Sequence, residues 1–176
     1  MFKIIAIAVV VVVAGVLIYA ATRPDTFSVQ RSLAIKAPPE KIYALIDNFH
    51  KWGEWSPYEK LDPDMKRSFS GTDSGPGAVY AWDSKAKAGA GSMEIQSTTV
   101  PGSIVIKLDF SRPFEAHNTA TFTLQSEGDA TRVSWTMSGH ANYFHKLLSV
   151  FLNMDQLIGK DFETGLDNLK RITEQQ

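Results

Sequence analysis

The sequence contains no cysteine. Disulfide bonds, thiolate metal sites and cysteine catalysis are therefore excluded. Histidine is also scarce, and the four histidines include no pair at the spacing that holds a metal ion on one helix face. We expect no metal site and no cofactor.

The chain also lacks an excess of positive charge. Its 18 Lys and Arg residues stand against 19 Asp and Glu residues, which gives a net charge of −1, and there is no long basic run. Because proteins that bind nucleic acid usually concentrate basic residues on one face, we expect no nucleic-acid partner. There is no Gly-x-Ser-x-Gly motif for a serine nucleophile, and no glycine-rich loop joins a strand to a helix as in phosphate sites. We therefore assign no catalytic residue.

What the chain does have is one long apolar segment. Residues 4–21 form an uninterrupted apolar run, which as a helix would span about 27 Å, close to the hydrocarbon thickness of a bilayer. A cleaved signal peptide is the alternative, but its apolar run is usually shorter and a small-x-small cleavage site should follow. The pattern favours a retained single-pass anchor in residues 1–25, followed by one domain in residues 26–176. Since folded domains are translocated largely regardless of charge, we expect the domain to lie outside the cytoplasm, at the cell membrane.

The domain begins with strands and turns. Residues 26–37 alternate between apolar and polar, and a short helix is predicted after Pro39. Six further strands are predicted at 66–70, 78–84, 92–99, 103–111, 118–126 and 131–140. Short Gly- and Pro-containing turns separate them, which implies antiparallel hairpins. One face of this sheet is strongly apolar and needs a cover.

The C-terminal segment is the predicted cover. Apolar residues recur every three or four positions from Ile158 to Ile172, as on one face of a helix. Asn153 and Gln156 have the spacing of a capping box, so the helix should start near Met154. Gly165 lies within the apolar stripe, although glycine weakens a helix interior by about 1 kcal/mol. It either allows close packing or leaves a pocket under the helix.

This order of elements, with four short motifs, resembles a known family. The motifs are Ala-Pro-Pro-Glu-Lys-Ile at 37–42, Trp-Gly-Glu-Trp-Ser-Pro at 52–57, Gly-Pro-Gly-Ala-Val-Tyr-Ala-Trp at 75–82 and the segment 159–170. Over about residues 26 to 175 the chain resembles the START-like superfamily, specifically the polyketide cyclase/dehydrase and lipid-transport (SRPBCC) family. The resemblance implies an α+β helix-grip fold, in which a curved antiparallel sheet wraps around the long C-terminal helix, here preceded by a transmembrane helix. It also implies a hydrophobic cavity between sheet and helix.

Candidate ligand-binding residues are those predicted to face this cavity or to flank its mouth. They are Arg31, Trp52, Trp55, Tyr80, Trp82, Met93, Phe110, Phe122, Trp135, Met137, His140, Phe162 and Gly165. The same inward side chains could equally form a filled core. Arg31 is a charge on the apolar face, so it either pairs with a carboxylate such as Glu94 or Asp109 or clamps an acidic ligand group. If a reaction is catalysed, His140 or Asp109 could be the acid or base.

The segment from Tyr143 to Met154 has a broad apolar face that includes Phe144, Leu147, Leu148 and Phe151. It either packs on the end of the domain or forms a lid at the cavity mouth that dips into the bilayer.

These patterns favour a membrane-anchored domain that binds a hydrophobic or amphipathic, lipid-like small molecule as carrier or sensor. Two alternatives remain open at this point: a cyclase- or dehydratase-type enzyme using the same cavity, and an interaction module of a membrane complex with a filled core. The sequence does not identify a protein partner.

Overall fold

The computed structural model describes residues 2–86 and 88–175. Its helices are α1 (Phe2–Ala21), α2 (Pro39–Ile46), α3 (Trp52–Trp55), α4 (Tyr143–Phe151) and α5 (Met154–Glu174). Its strands are β1 (Thr26–Ile35), β2 (Lys66–Gly71), β3 (Ala78–Asp83), β4 (Ala90–Thr99), β5 (Ser103–Arg112), β6 (Ala116–Glu127) and β7 (Ala130–His140). Short 3₁₀ helices at Phe49–Lys51 and Pro57–Lys60 flank α3.

All seven strands form one antiparallel sheet in the order β1-β7-β6-β5-β4-β3-β2. The predicted hairpins from β2 to β7 are confirmed, and β1 pairs along its whole length with β7, from Thr26 opposite His140 to Ile35 opposite Thr131. The helix-grip fold is therefore confirmed. We call the end of the sheet where β1 begins and β7 ends the proximal end.

Side chains of one parity form the inner face of the sheet, because successive residues of a strand point to opposite sides. The register aligns these inward residues in rows across the strands. The first row consists of Arg31, Trp135, Phe122 and Ile104. The second row, closer to the proximal end, consists of Val29, Met137, Ala120, Ile106 and Ile95. The third row, closer still, consists of Phe27, Gly139, Asn118, Leu108, Met93 and Tyr80.

Helix α5 lies along β1 and closes one side of this face. It starts as predicted: the side chain of Asn153 accepts a hydrogen bond from the backbone N–H of Gln156 at 3.1 Å. The predicted helix from Tyr143 to Met154 ends earlier, at Phe151, because Leu152 has an extended backbone. At its far end, α5 is tied to the distal end of β1, where Glu174 accepts a hydrogen bond from the backbone of Lys36 at 2.8 Å.

Helix α1 is apolar and almost entirely exposed. Its 20 residues make it long enough to cross a membrane. A signal sequence would have the same length and composition. Its last turns pack against α4: the hydroxyl of Tyr143 donates to the carbonyl of Leu17 at 3.0 Å. The guanidinium of Arg23 lies 5.7 Å from the ring of Tyr19 and donates to the carbonyl of Ser149.

Candidate ligand-binding site

Aromatic side chains fill the space between α5 and the middle of the sheet. The ring of Trp135 stacks on Phe162, with ring centroids 4.1 Å apart and planes 7° from parallel, and on Phe122 at 4.9 Å. Trp55 packs edge-on against Trp135 at 5.6 Å. These four side chains are all almost completely buried. The part of the core directly beneath α5 is therefore a packed aromatic cluster.

Gly165 is part of this close packing. A Cβ atom at this position would lie 2.7 Å from Cζ3 of Trp135 and 3.2 Å from Cδ of Pro57. Both distances are shorter than ordinary van der Waals contacts. Of the two interpretations of Gly165, the geometry supports close packing, and the atoms that approach belong to side chains.

The indole N–H groups of the core tryptophans differ in their partners. Trp52 donates to the carbonyl of Ile46 at 2.9 Å, and Trp55 donates to the carbonyl of Leu45 at 3.1 Å. Both tryptophans are buried, so neither flanks a cavity mouth, contrary to our expectation. The buried Nε1 of Trp135 has no acceptor among the described residues. An unpaired buried donor costs about 1–3 kcal/mol.

The inner face becomes more open toward the proximal end. Ile95, Ile104 and Ile106 are completely buried, whereas Leu108 and Met137, farther along, are each 8% exposed. Beyond them the inward side chains are partly exposed. We call the inward residues of this end the proximal face: Trp82, Met93, Leu108, Phe110, Asn118 and Met137. The inner face is therefore fully covered in the middle and partly exposed at this end.

A crevice of about 570 Å³ adjoins the proximal face. It lies between the start of β1, α4 and the start of α5, and its lining includes Phe27, His145, Phe151 and Met154. The rings of Phe27 and His145 stack at 4.8 Å. Phe27 also packs over Gly139 on the inner face, where a Cβ atom would lie 3.1 Å from its ring. The crevice and the proximal face thus share Phe27 as a common wall.

A second groove, of about 610 Å³, lies across the strands on the other side of the sheet. Its lining includes Lys107, Asp109 and His117. Asp109 accepts hydrogen bonds from both of these side chains, at 2.7 and 2.8 Å, and the bond from Lys107 is the larger cause of its lowered pKa. This groove is open to solvent and lies on the face of the sheet opposite to the proximal face.

The proposed acid–base candidates do not face the inner side. Asp109 lies between the inward residues Leu108 and Phe110 and therefore points outward. His140 is exposed at the end of β7, at the parity opposite to Met137. Neither group reaches the proximal face, so the expectation that they could act within a cavity is wrong.

Arg31 is neutralised by α5. Its guanidinium donates to Glu163 at 2.7 Å and to Asp155 at 3.0 Å. The bond to Arg31 lowers the pKa of the Asp155 carboxyl. The predicted pairing with a carboxylate is correct in kind, but Glu94 and Asp109 are the wrong partners. Arg31 fastens the start of α5 to β1.

Close approach of this arginine explains a glycine in α5. Gly159 lies directly against the guanidinium of Arg31, so a Cβ atom there would overlap it. Because Gly159 has no side chain, the guanidinium of Arg31 can lie against α5 and reach Asp155, one turn before Gly159, and Glu163, one turn after it.

Tyr80 places its ring in the core and its hydroxyl at the edge. The hydroxyl donates to Glu59 at 2.6 Å, and the other oxygen of Glu59 accepts from Arg67, also at 2.6 Å. Burial and this bond raise the pKa of Tyr80. Its polar group is therefore already paired.

Sequence reasoning missed Asn118 and Leu108 as site residues. Both have inward parity, and Asn118 is a polar residue on an otherwise apolar face, buried to 9% exposure. That polar exception was a usable signal. Which end of the face is open, however, depends on where α5 lies.

The predicted lid residues divide into two groups on α4. Leu147 and Leu148 are half-buried, while Phe144 and Phe151 are 44% and 70% exposed. Phe144 also contacts Phe114, from the turn between β5 and β6, at 4.7 Å between ring centroids. The exposed part of α4 therefore lies beside the proximal end and next to α1.

The sheet, the long helix and the partly open apolar face define a helix-grip domain. The chain belongs to the family described as polyketide cyclase / dehydrase and lipid transport, whose profile matches residues 26–174. Together, family and fold suggest a ligand-binding cavity. A search among curated proteins finds no significant match.

Solved structures share the fold at low sequence identity. Major latex-like protein 151 from Panax ginseng has a TM-score of 0.61 at 12% identity, covering 85% of this chain and 99% of its own. The Aha1 protein from Colwellia psychrerythraea has 0.60 at 15% identity, covering 84% and 96%. The di-domain ARO/CYC BexL from the BE-7585A biosynthetic pathway has 0.61 at 18% identity, covering 89% and 52%. At these identities the likeness concerns the fold alone.

Proposed function

We propose that this chain is a membrane-anchored carrier or sensor that binds a hydrophobic or amphipathic, lipid-like molecule on the proximal face. The observation that carries the proposal is the gradient of exposure along the inner side of the sheet. Complete burial at Ile104 and Ile106 gives way to partly exposed apolar side chains at the end beside α1 and α4. A ligand that covers them removes apolar surface from water, worth about 25 cal/mol per Å².

Two polar groups could orient such a ligand. Asn118 lies within the proximal face, and the unpaired Nε1 of Trp135 lies two rows farther in. Ligand sites are usually apolar with a few placed polar groups. This composition suits a molecule with an apolar body and one oxygen-bearing head group.

The proposal includes α1 as a retained anchor that keeps the proximal face near a membrane, with the domain outside the cytoplasm. Val100 lies in the exposed turn at the distal end and is 70% exposed. In intact cells, a membrane-impermeant thiol reagent should therefore label a Val100→Cys variant. Labelling only after the cells are broken would place the domain inside.

The binding site can be tested with a photoactivatable fatty acid and the full chain in lipid nanodiscs. After irradiation, peptide mapping should find cross-links on the inward residues of β5 to β7. Met137→Trp should strongly reduce these cross-links, because a larger side chain occupies the proximal face. Cross-links on α1 should be unchanged in both proteins and serve as the internal reference.

Ser138→Trp is the matched control, since Ser138 is the next residue on β7 and points to the other side of the sheet. Its cross-linking should equal that of the unmodified chain. Circular dichroism establishes that both variants are folded. If the unmodified chain is cross-linked only on α1, the proximal face does not bind such molecules.

That outcome would favour an interaction module, the one alternative that a specific observation supports. The packed cluster of Trp135, Phe162 and Phe122 leaves no ligand-sized gap directly beneath α5 in the described part of the chain. A chain of this kind would then use its surface and not its core.

A further inference from the structure

Exposed apolar side chains concentrate at one place on the soluble domain. Most of its large exposed apolar residues lie on α4, just after it or against it. We call this group the α4 patch: Phe114, Tyr143, Phe144, Phe151 and Leu152, which are 44% to 70% exposed. Patches of this kind on a soluble surface usually mark an interaction site.

The contact between α4 and α1 determines how deep this patch would lie in a bilayer that α1 spans. Tyr143, the first residue of α4, bonds to Leu17, which lies four residues before the end of α1 at Ala21. At 1.5 Å per residue, that contact lies about 6 Å inside the end of the apolar helix. Amphipathic helices at membrane surfaces insert their apolar side about 5–10 Å. If α1 spans a bilayer, α4 starts at this depth.

We propose that the α4 patch is inserted in the interfacial layer of the same bilayer that α1 crosses. This inference rests on the anchoring part of the proposed function and adds a second membrane contact to it. The occupant of the patch is therefore lipid, because the patch continues the apolar surface of α1 and contacts it directly.

Charged groups beside the patch are arranged for such a boundary. Lys146, on α4, is ion-paired with Asp25 of the linker, so it enters the interface with its charge compensated. Arg23 spans from the ring of Tyr19 to the carbonyl of Ser149. Aromatic rings and arginine side chains that reach toward water are typical of membrane–water boundaries.

Insertion of the patch would also bring the ligand site to the lipid. The crevice between α4 and the sheet includes Phe151 of the patch and Phe27, which borders the proximal face. The crevice thus leads from the α4 patch toward the proximal face, and its lining also contains the charged side chains of Arg23, Lys146 and Asp155.

The lack of native cysteine makes a direct depth measurement possible. Single Phe144→Cys and Phe151→Cys variants of the full chain, labelled with an environment-sensitive NBD fluorophore, are reconstituted in phosphatidylcholine vesicles. Quenching is compared between lipids that carry a doxyl group near the head group and lipids that carry it near the chain end. Val11→Cys in the middle of α1 and Val100→Cys at the distal turn are the references.

Labels at both α4 positions should show blue-shifted emission and stronger quenching by the shallow doxyl group. The label at Val11 should be quenched best by the deep group, and the label at Val100 by neither. If Val11 gives this result but the α4 labels behave like Val100, the insertion of α4 is wrong while the anchor stands. Blue-shifted α4 labels without quenching would mean that a second copy of the chain covers the patch, which also contradicts the proposal. If Val11 itself is not quenched, the anchor is wrong and α4 insertion falls with it.

Discussion

The substitution Gly165→Ala tests whether the space beneath α5 is a packed core or an open pocket. In a helix interior, alanine is favoured over glycine by about 1 kcal/mol. Here the new Cβ atom would lie 2.7 Å from Trp135. The ring of Trp135 cannot easily move away, since Phe162 and Phe122 stack on it. Overpacking of a tight core typically costs about 1–3 kcal/mol, so a net loss of up to about 2 kcal/mol is expected.

The assay is the thermal unfolding of the full chain in detergent, followed by the near-ultraviolet circular dichroism of its tryptophans. One kcal/mol corresponds to about 2–4 °C in a domain of this size, so Gly165→Ala should lower the midpoint by several degrees at most. Gly53→Ala is the matched control, because a Cβ atom at Gly53 meets nothing within 4 Å. That variant should be neutral or slightly stabilised.

A second mutation tests the proposed cause. With Trp135→Leu already present, Gly165→Ala should no longer destabilise the chain, because the clashing ring atoms are gone. The reasoning is refuted if Gly165→Ala alone stabilises the protein as Gly53→Ala does. The space beneath α5 would then be open, and Gly165 would be the wall of a pocket.

Two pH-dependent predictions concern contacts of α5 and α4 with β1. Arg31 lowers the pKa of Asp155 below its ordinary value of 3.8. The pair therefore stabilises the fold above pH 3.8, and this contribution is lost as the pH falls through the lowered pKa. Asp155→Asn should flatten this part of the acid unfolding curve, and an unchanged curve would contradict the pairing. Burial lowers the pKa of His145, stacked on Phe27, below 6.5. Because the unfolded chain then binds the proton more readily, stability should fall as the pH drops below 6.5. His145→Gln should reduce this fall when melting temperatures are compared above and below that pH, and an equal fall in both proteins would show that another group is responsible.

Local patterns were sufficient for the elements of the fold. The capping pair Asn153 and Gln156 predicted the start of α5, and the structure shows the hydrogen bond. Parity along β5 and β7 also contained the answer for Asp109 and His140, since their neighbours were assigned to the inner face. The alternation therefore already places Asp109 and His140 on the outer face of the sheet.

The sequence did not predict which residues from distant segments contact each other. Arg31 was identified as a charge that needs a carboxylate, but several carboxylates were available. The choice of Asp155 and Glu163 depends on α5 lying along β1. The choice between the two interpretations of Gly165 depends on which ring lies opposite it.

The sequence by itself determined the long apolar N-terminal segment, the alternating strands, the amphipathic final helix and the family they resemble, because each of these is a pattern of neighbouring residues within one segment. Only the tertiary structure decided that the middle of the grip is packed by Trp135 and Phe162, that the inner face opens at its proximal end, and that α4 lies against the last turns of α1. These properties depend on the distances between segments that are far apart in the chain, and such distances are set by the packing of side chains from both partners.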